Sequence, residues 1–139
     1  MEALWSRFLP SYQFVLKQIQ NGAIGDIIQV RAEFGVQIAN VEQINQKSLG
    51  GRTVLDLGVY CINLLQMSFG NEFPEEIVAV GHLNDQGIDL NVSAALKYSN
   101  GRTGVIVTHS AVQLPNEAEI VGTKGVIKVT ISYSLSVSD

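Results

Sequence analysis

The chain has 139 residues, 46% of them hydrophobic and 16% charged, which is enough to bury one substantial core and argues against disorder. Its net charge of -4 comes with nine scattered basic residues and no Lys/Arg run, excluding the usual nucleic-acid or acidic-membrane surface. A lone cysteine, Cys61, rules out an intrachain disulfide or a cysteine-based zinc site, and no apolar run is long enough to cross a membrane as a helix. With no basic, apolar leader at Met1–Trp5, a cytoplasmic protein is expected.

Residues 1 to 6 are short and apolar and predict a strand or strand end. Pro10 and Ser11 open a helix whose Tyr12, Val15, Leu16 and Ile19 share one face, and Gly22 stops it. From Asp26 to Val36 the period changes to two. Ile28, Val30, Ala32, Phe34 and Val36 then oppose Gln29, Arg31 and Glu33, the pattern of a half-buried strand. Residues 37 to 49 predict a loop or a short helix.

Gly50-Gly51 leads into the most apolar stretch, about 53 to 68, whose apolar residues point in nearly every helical direction. A helix buried on most sides is expected there, ended by Gly70. Strands follow at about 76–83, 90–98, 103–111, 116–122 and 126–131. Asn100-Gly101 supplies the positive φ a tight hairpin needs, and Gly122 to Gly125 predicts a second turn. The order implies an α+β fold: an open, mainly antiparallel sheet with helices on one face.

The second face of that sheet also reads as apolar. Val78, Val80, Val92, Ala94, Leu96, Val105 and Val107 compete with Ile77, Ala79, Ala95, Ile106 and His109 for the helix side. An uncovered apolar face marks an interface, here between subunits, unless further chain covers it.

Asp56, Tyr60 and Asn63 interrupt the apolar rod at offsets of four and seven, which line up on one stripe of a regular helix. A carboxylate removed from water costs several kcal/mol unless it is paired. Asp56 therefore either pairs with Arg52 one turn back, with Tyr60 a core aromatic, or lines a wet cavity beside a phenol able to trade protons with an alcohol. His82 and His109 stand alone on strands, and nothing falls at metal-ligand spacing. Lys124 between glycines lacks the rest of a phosphate loop. No two of the thirteen glycines are two apart, so no Gly-x-Gly-x-x-Gly dinucleotide fingerprint exists in the chain.

Glu2-Ala3-Leu4-Trp5-Ser6-Arg7-Phe8, then Gly25-Asp26-Ile27, Arg31-Ala32-Glu33-Phe34-Gly35, Gly50-Gly51 with Asp56-Leu57-Gly58-Val59-Tyr60, and Gly122-Thr123-Lys124-Gly125 occur in order. The set resembles the C-terminal domain of the glucose–fructose oxidoreductase/inositol dehydrogenase/MocA family over nearly the whole chain. The resemblance implies hydride transfer between NADP or NAD and a sugar or a trans-dihydrodiol. It assigns catalytic roles to Asp56 and Tyr60, places Trp5 and Phe34 near the substrate, and pairs subunits into a homodimer through the free sheet face. It also implies that residues 1–6 are an orphan strand of an absent dinucleotide-binding domain. Residues 7–139 then form a substrate and dimerisation domain truncated at its end. The catalytic lysine of the family lies upstream of Met1, so the expected state of this chain alone is inactive and without cofactor. A non-enzymatic assembly module is the alternative.

Overall fold

Among the described residues, six strands form one sheet in the order β2-β3-β4-β1-β5-β6. The computed structural model describes residues 4–130, apart from the side chains of Trp5, Gln43 and Asn45. The strands are β1 (Ile27–Gly35), β2 (Glu76–Leu83), β3 (Asp89–Lys97), β4 (Thr103–His109), β5 (Glu117–Gly122) and β6 (Val126–Thr130). Only β1 and β4 run parallel; the other neighbours in this sheet are antiparallel, as the hairpin signals imply. The helices are α1 (Pro10–Gln20), the short α2 (Glu42–Asn45) and α3 (Val59–Ser68).

The start of the fold differs from the strand expected over residues 1–6. Residues 1–3 lie outside the described part, and Trp5–Phe8 is a 3₁₀ turn. With no strand beside it in the described chain, this backbone satisfies itself locally. Arg7 N–H donates to Leu4 O at 3.2 Å and Leu9 N–H to Ser6 O at 3.1 Å. Pro10 then starts α1, where its missing N–H costs nothing, and Tyr12 and Val15 are the residues of that helix driven into the core.

One face of the sheet is the core. Val30, Ala32 and Phe34 of β1 pack with Ile106, Ala94, Leu96, Ala118 and Ile120 beneath Leu57, Cys61, Leu64 and Leu65. Gly104 of β4 makes the closest approach: a Cβ there would sit 2.5 Å from Leu65 Cδ2.

Register corrects the two apolar sets expected for the sheet faces. Val78 pairs with Ala95 and Val105, and Val80 with Ser93 and Val107, so these share the outer face. Ile77, Ala79, Val92, Ala94, Leu96 and Ile106 lie on the helix side. Alternation fixes faces within one strand; which parity meets which across the ladder depends on turn length. The outer face is apolar mainly over β2, β3 and β4, with Val121 and Val126 paired on it where β5 meets β6. Arg31, Glu33, Glu119 and Lys128 carry it across β1, β5 and β6, with Lys128 Nζ 2.9 Å from Glu119.

The rod is also less enclosed than its composition predicts. Helix α3 crosses β1 and β4 but leaves β2 bare. An apolar cleft of about 580 Å³ remains between Val54, Ile62 and Gln66 on one side and Ile77, Ala79 and Val92 on the other. Ile62 accordingly keeps 41% of its surface. Among the described residues no helix is long and apolar enough to cross a membrane.

Turns fix the strand order. Asn100 (φ 58°) and Gly101 (φ 73°) both take the left-handed conformation between β3 and β4, as their pairing predicts. Arg102 beside this turn pairs with Glu72 and lies 5.4 Å from the Phe69 ring centroid. Hydrogen bonding from Ser99 first, and from Arg102, holds the Glu72 carboxyl below its ordinary range. Its contribution to stability is therefore present above the unfolded value and lost as pH falls through the lower native one. Urea midpoints measured across the acid range should show part of the acid sensitivity of the wild type vanish in Glu72→Gln.

Candidate active site

The segment after Gly50-Gly51 is not a regular α-helix. Val54–Gly58 is a π turn, and α-helical bonding resumes at Val59. A π turn bonds i to i+5, so it inserts extra backbone into the rotation and often marks functional positions. Close packing shapes this stretch: a Cβ on Gly58 would lie 3.3 Å from Thr108 Cγ2 of β4.

The turn breaks up the polar stripe expected from α-helical spacing. Asp56 is exposed, Tyr60 is half-buried and Asn63 is 2% exposed, so the three descend from solvent into the core. Asp56 is thus not the buried carboxylate the spacing suggests, and it needs no partner to offset lost solvation. The structure is nearer the second sequence alternative than the first. Asp56 makes no ion pair with Arg52; the link between them is backbone, Asp56 N–H to Arg52 O at 3.0 Å. It lines an open depression of about 270 Å³ with Leu49, Gly50 and Gly51.

Tyr60 and Phe34 are brought together. Their ring centroids are 5.5 Å apart at 68°, an edge-to-face contact. Phe34 is held by its strand: Asn116 Oδ1 accepts the neighbouring Gly35 N–H at 2.8 Å, and Gly35 leaves room for Leu114. Trp5 opens the 3₁₀ turn, and its side chain lies outside the described part. His82 is exposed on β2, and the His109 Nδ1 accepts the Ala111 N–H at 3.1 Å. Lys124 is an exposed turn residue whose N–H donates to Ile24 O at 2.8 Å, which ties the Gly122–Gly125 turn to Ile24.

Sequence spacing does not single out several other polar groups of this region. Tyr12, 3% exposed, has its phenol pushed up to about 12, chiefly by burial. The neighbouring Cys61 and Tyr60 add to this, and the Ser6 hydroxyl opposes it without a well-aligned hydrogen bond. Cys61 is likewise raised to about 12 by burial, and secondarily by Glu33, so it is no thiolate nucleophile at neutral pH. Arg7 Nε donates to Asn63 Oδ1 at 2.6 Å, while Asn63 Nδ2 has no partner among the described residues. These pairs join positions far apart in the chain, so no local pattern announces them.

Residues 12–128 match the GFO/IDH/MocA C-terminal domain family. The chain belongs to that family. Relatives include the trans-1,2-dihydrobenzene-1,2-diol dehydrogenases of Xenopus tropicalis, 43% identical, and Homo sapiens, 35% identical, each over 129 residues. That region is 93% of this chain and 39% of either relative, so the chain spans well under half their length. Solved structures share the fold of this GFO/IDH/MocA domain. An aldose-aldose oxidoreductase from Caulobacter crescentus superposes with a TM-score of 0.80 at 23% identity, over 92% of this chain and 40% of that one. A scyllo-inositol dehydrogenase from Lactobacillus casei, with bound NAD(H) and scyllo-inositol, gives 0.71 at 20% identity, over 89% and 39%.

The described residues of this GFO/IDH/MocA domain do not fit a dinucleotide. The sheet has one parallel pair and no β-α-β phosphate loop, and the chain has no Gly-x-Gly spacing.

Proposed function

We propose that this domain is the substrate-side half of an NAD- or NADP-dependent dehydrogenase acting on a sugar such as D-xylose or on a trans-dihydrodiol, working in the cytoplasm. The observation that carries this reading is the π turn bearing Asp56 open to solvent, followed by Tyr60 half-buried against Phe34. Oxidation of an alcohol removes a hydride from carbon and a proton from oxygen. The hydride leaves for a nicotinamide held by the other half of the enzyme. The groups of this chain serve the proton.

Tyr60 is the group suited to relay that proton: its hydroxyl oxygen takes the substrate proton as its own O–H proton passes to water through the partly open flank, and the relay runs backwards in reduction. Asp56, charged and solvated, orients the substrate hydroxyls and provides an acceptor at the rim. Phe34 gives Tyr60 a rigid apolar wall, and Trp5 is assigned to the substrate side with it. The domain alone is inactive on this reading, because nothing in it brings a cofactor into hydride range. The test is turnover of D-xylose or a dihydrodiol with either nicotinamide, with and without a dinucleotide-binding half supplied.

The outer sheet face favours a homodimer, and assembly without chemistry is the second reading. Val78, Val80, Val105 and Val107 form the apolar part. Arg31 and Lys128 lie among Glu33, Glu117 and Glu119, and an isologous contact sets such opposite charges against each other. Val107→Lys should convert dimer to monomer in sedimentation velocity without shifting the urea midpoint of the monomer. An unaltered dimer would remove this face as the interface. Loss of activity in Asp56→Ala with dimer and stability intact would favour the enzyme, and collapse of the fold would favour assembly as the sole role.

A further inference from the structure

Asp89 starts β3, remote in sequence from the site, yet it holds the segment that carries it. Its side chain is almost out of solvent, at 7% exposure. Oδ2 accepts the Val54 N–H at 2.8 Å, and the Thr53 hydroxyl, itself with no exposed surface, donates to the Asp89 carbonyl oxygen. A carboxylate removed from water needs charge-compensating donors, and the first turn of a helix offers free N–H groups and a positive dipole end. The contact therefore satisfies both sides at once.

The placement of Asp89 is itself over-determined. Asn84 Oδ1 accepts the N–H groups of Gln86 and Ile88, both at 3.0 Å, and Asn84 N–H donates to Ile88 O at 2.8 Å. Ile88, 1% exposed, anchors this β2–β3 hairpin in the interior. The hairpin is a closed wedge that delivers one carboxylate to the start of the π turn.

We propose that Asp89 is a positioning residue: by clamping Thr53 and Val54 it fixes the rotation of the π turn, and so the direction of Asp56 and the edge-on seat of Tyr60 against Phe34. This rests on reading Asp56 and Tyr60 as the site pair. A π turn has fewer well-formed internal bonds than an α-helix, and its geometry persists only where surroundings enforce it. Asp89 supplies that enforcement from outside the helix.

The test uses the 139-residue chain and aromatic proton NMR with amide exchange. In Asp89→Ala the ring-current shifts of Tyr60 should collapse, and the Val54 amide should exchange about tenfold faster. The Phe69–Tyr98 pair, 4.3 Å apart in the same core, should keep its shifts. Asp89→Asn should restore the Tyr60 shifts, because its amide oxygen can accept the same N–H. Unchanged Tyr60 signals in Asp89→Ala, or Tyr60 and Tyr98 shifts altered together in a variant that stays folded, would overturn the proposal. If Asp89→Ala does not fold, Thr53→Val tests the other contact of the clamp, the hydroxyl bond to the Asp89 backbone carbonyl: lost Tyr60 shifts support the clamp and unaltered ones overturn it. None of these readouts involves turnover, so the clamp and the dehydrogenase reading fail separately.

Discussion

In an enzyme reconstituted with its dinucleotide-binding half, Tyr60→Phe is expected to lower kcat by about 10²- to 10⁴-fold, the usual loss when a general acid or base is removed. The substitution keeps the ring, so the edge contact with Phe34 and the local packing survive. Stability should fall by no more than about 1.5 kcal/mol, the value of one hydrogen bond. The kcat loss should far exceed any change in KM, because the hydroxyl acts on the proton in flight more than on ground-state binding. Tyr12→Phe is the built-in control. That phenol is 3% exposed and pushed up to about 12 chiefly by that burial, shut away from solvent, so its removal should leave kcat close to wild type. Steady-state kinetics of both variants over a range of pH decide the assignment.

The second large effect is structural. Leu65→Ala should cost about 2–5 kcal/mol, towards the upper end, measured as the shift in urea unfolding at constant m-value. Leu65 is 1% exposed and lies over Gly104, which has no side chain to move into the vacated space. The cavity therefore stays open. The reciprocal change, Gly104→Ala, should overpack the same contact by about 1–3 kcal/mol. Combined, the two should be less damaging than their sum, because the new methyl partly fills the hole left by Leu65.

Much of this architecture is written locally. Period-two patterning gives β1 to within a residue or two, and the five later strands fall close to their observed bounds because each is flanked by strong turn residues. Asn100-Gly101 carries its hairpin by φ alone. What local pattern does not carry is anything set by a distant partner. An α-helical wheel puts Asp56 beside Tyr60 and buries it; the π turn that separates their environments depends on packing against β4 and on Asp89. The faces of β3 are the reverse of the expected allocation because register across the ladder is settled by turns. Of the strand expected over residues 1–6, the described part runs into a 3₁₀ turn at Trp5–Phe8, whose backbone bonds close on themselves.

The candidate site divides in the same way. Asp56, Tyr60 and Phe34 are legible as residue types within a recognisable arrangement. The Arg7–Asn63 bond and the Thr53–Asp89 clamp span the chain and can be found only in three dimensions. Tyr12 is legible as a core residue, and its nearness to Tyr60 is not.

The most direct measurement is the appearance of reduced nicotinamide, followed by absorbance, when the 139-residue chain is given D-xylose or a trans-dihydrodiol with NAD or NADP. Alone it should produce none, and adding a separately expressed dinucleotide-binding half from a dihydrodiol dehydrogenase should restore turnover that Tyr60→Phe abolishes. Turnover by the unaided chain, or restored turnover indifferent to Tyr60, would contradict the account.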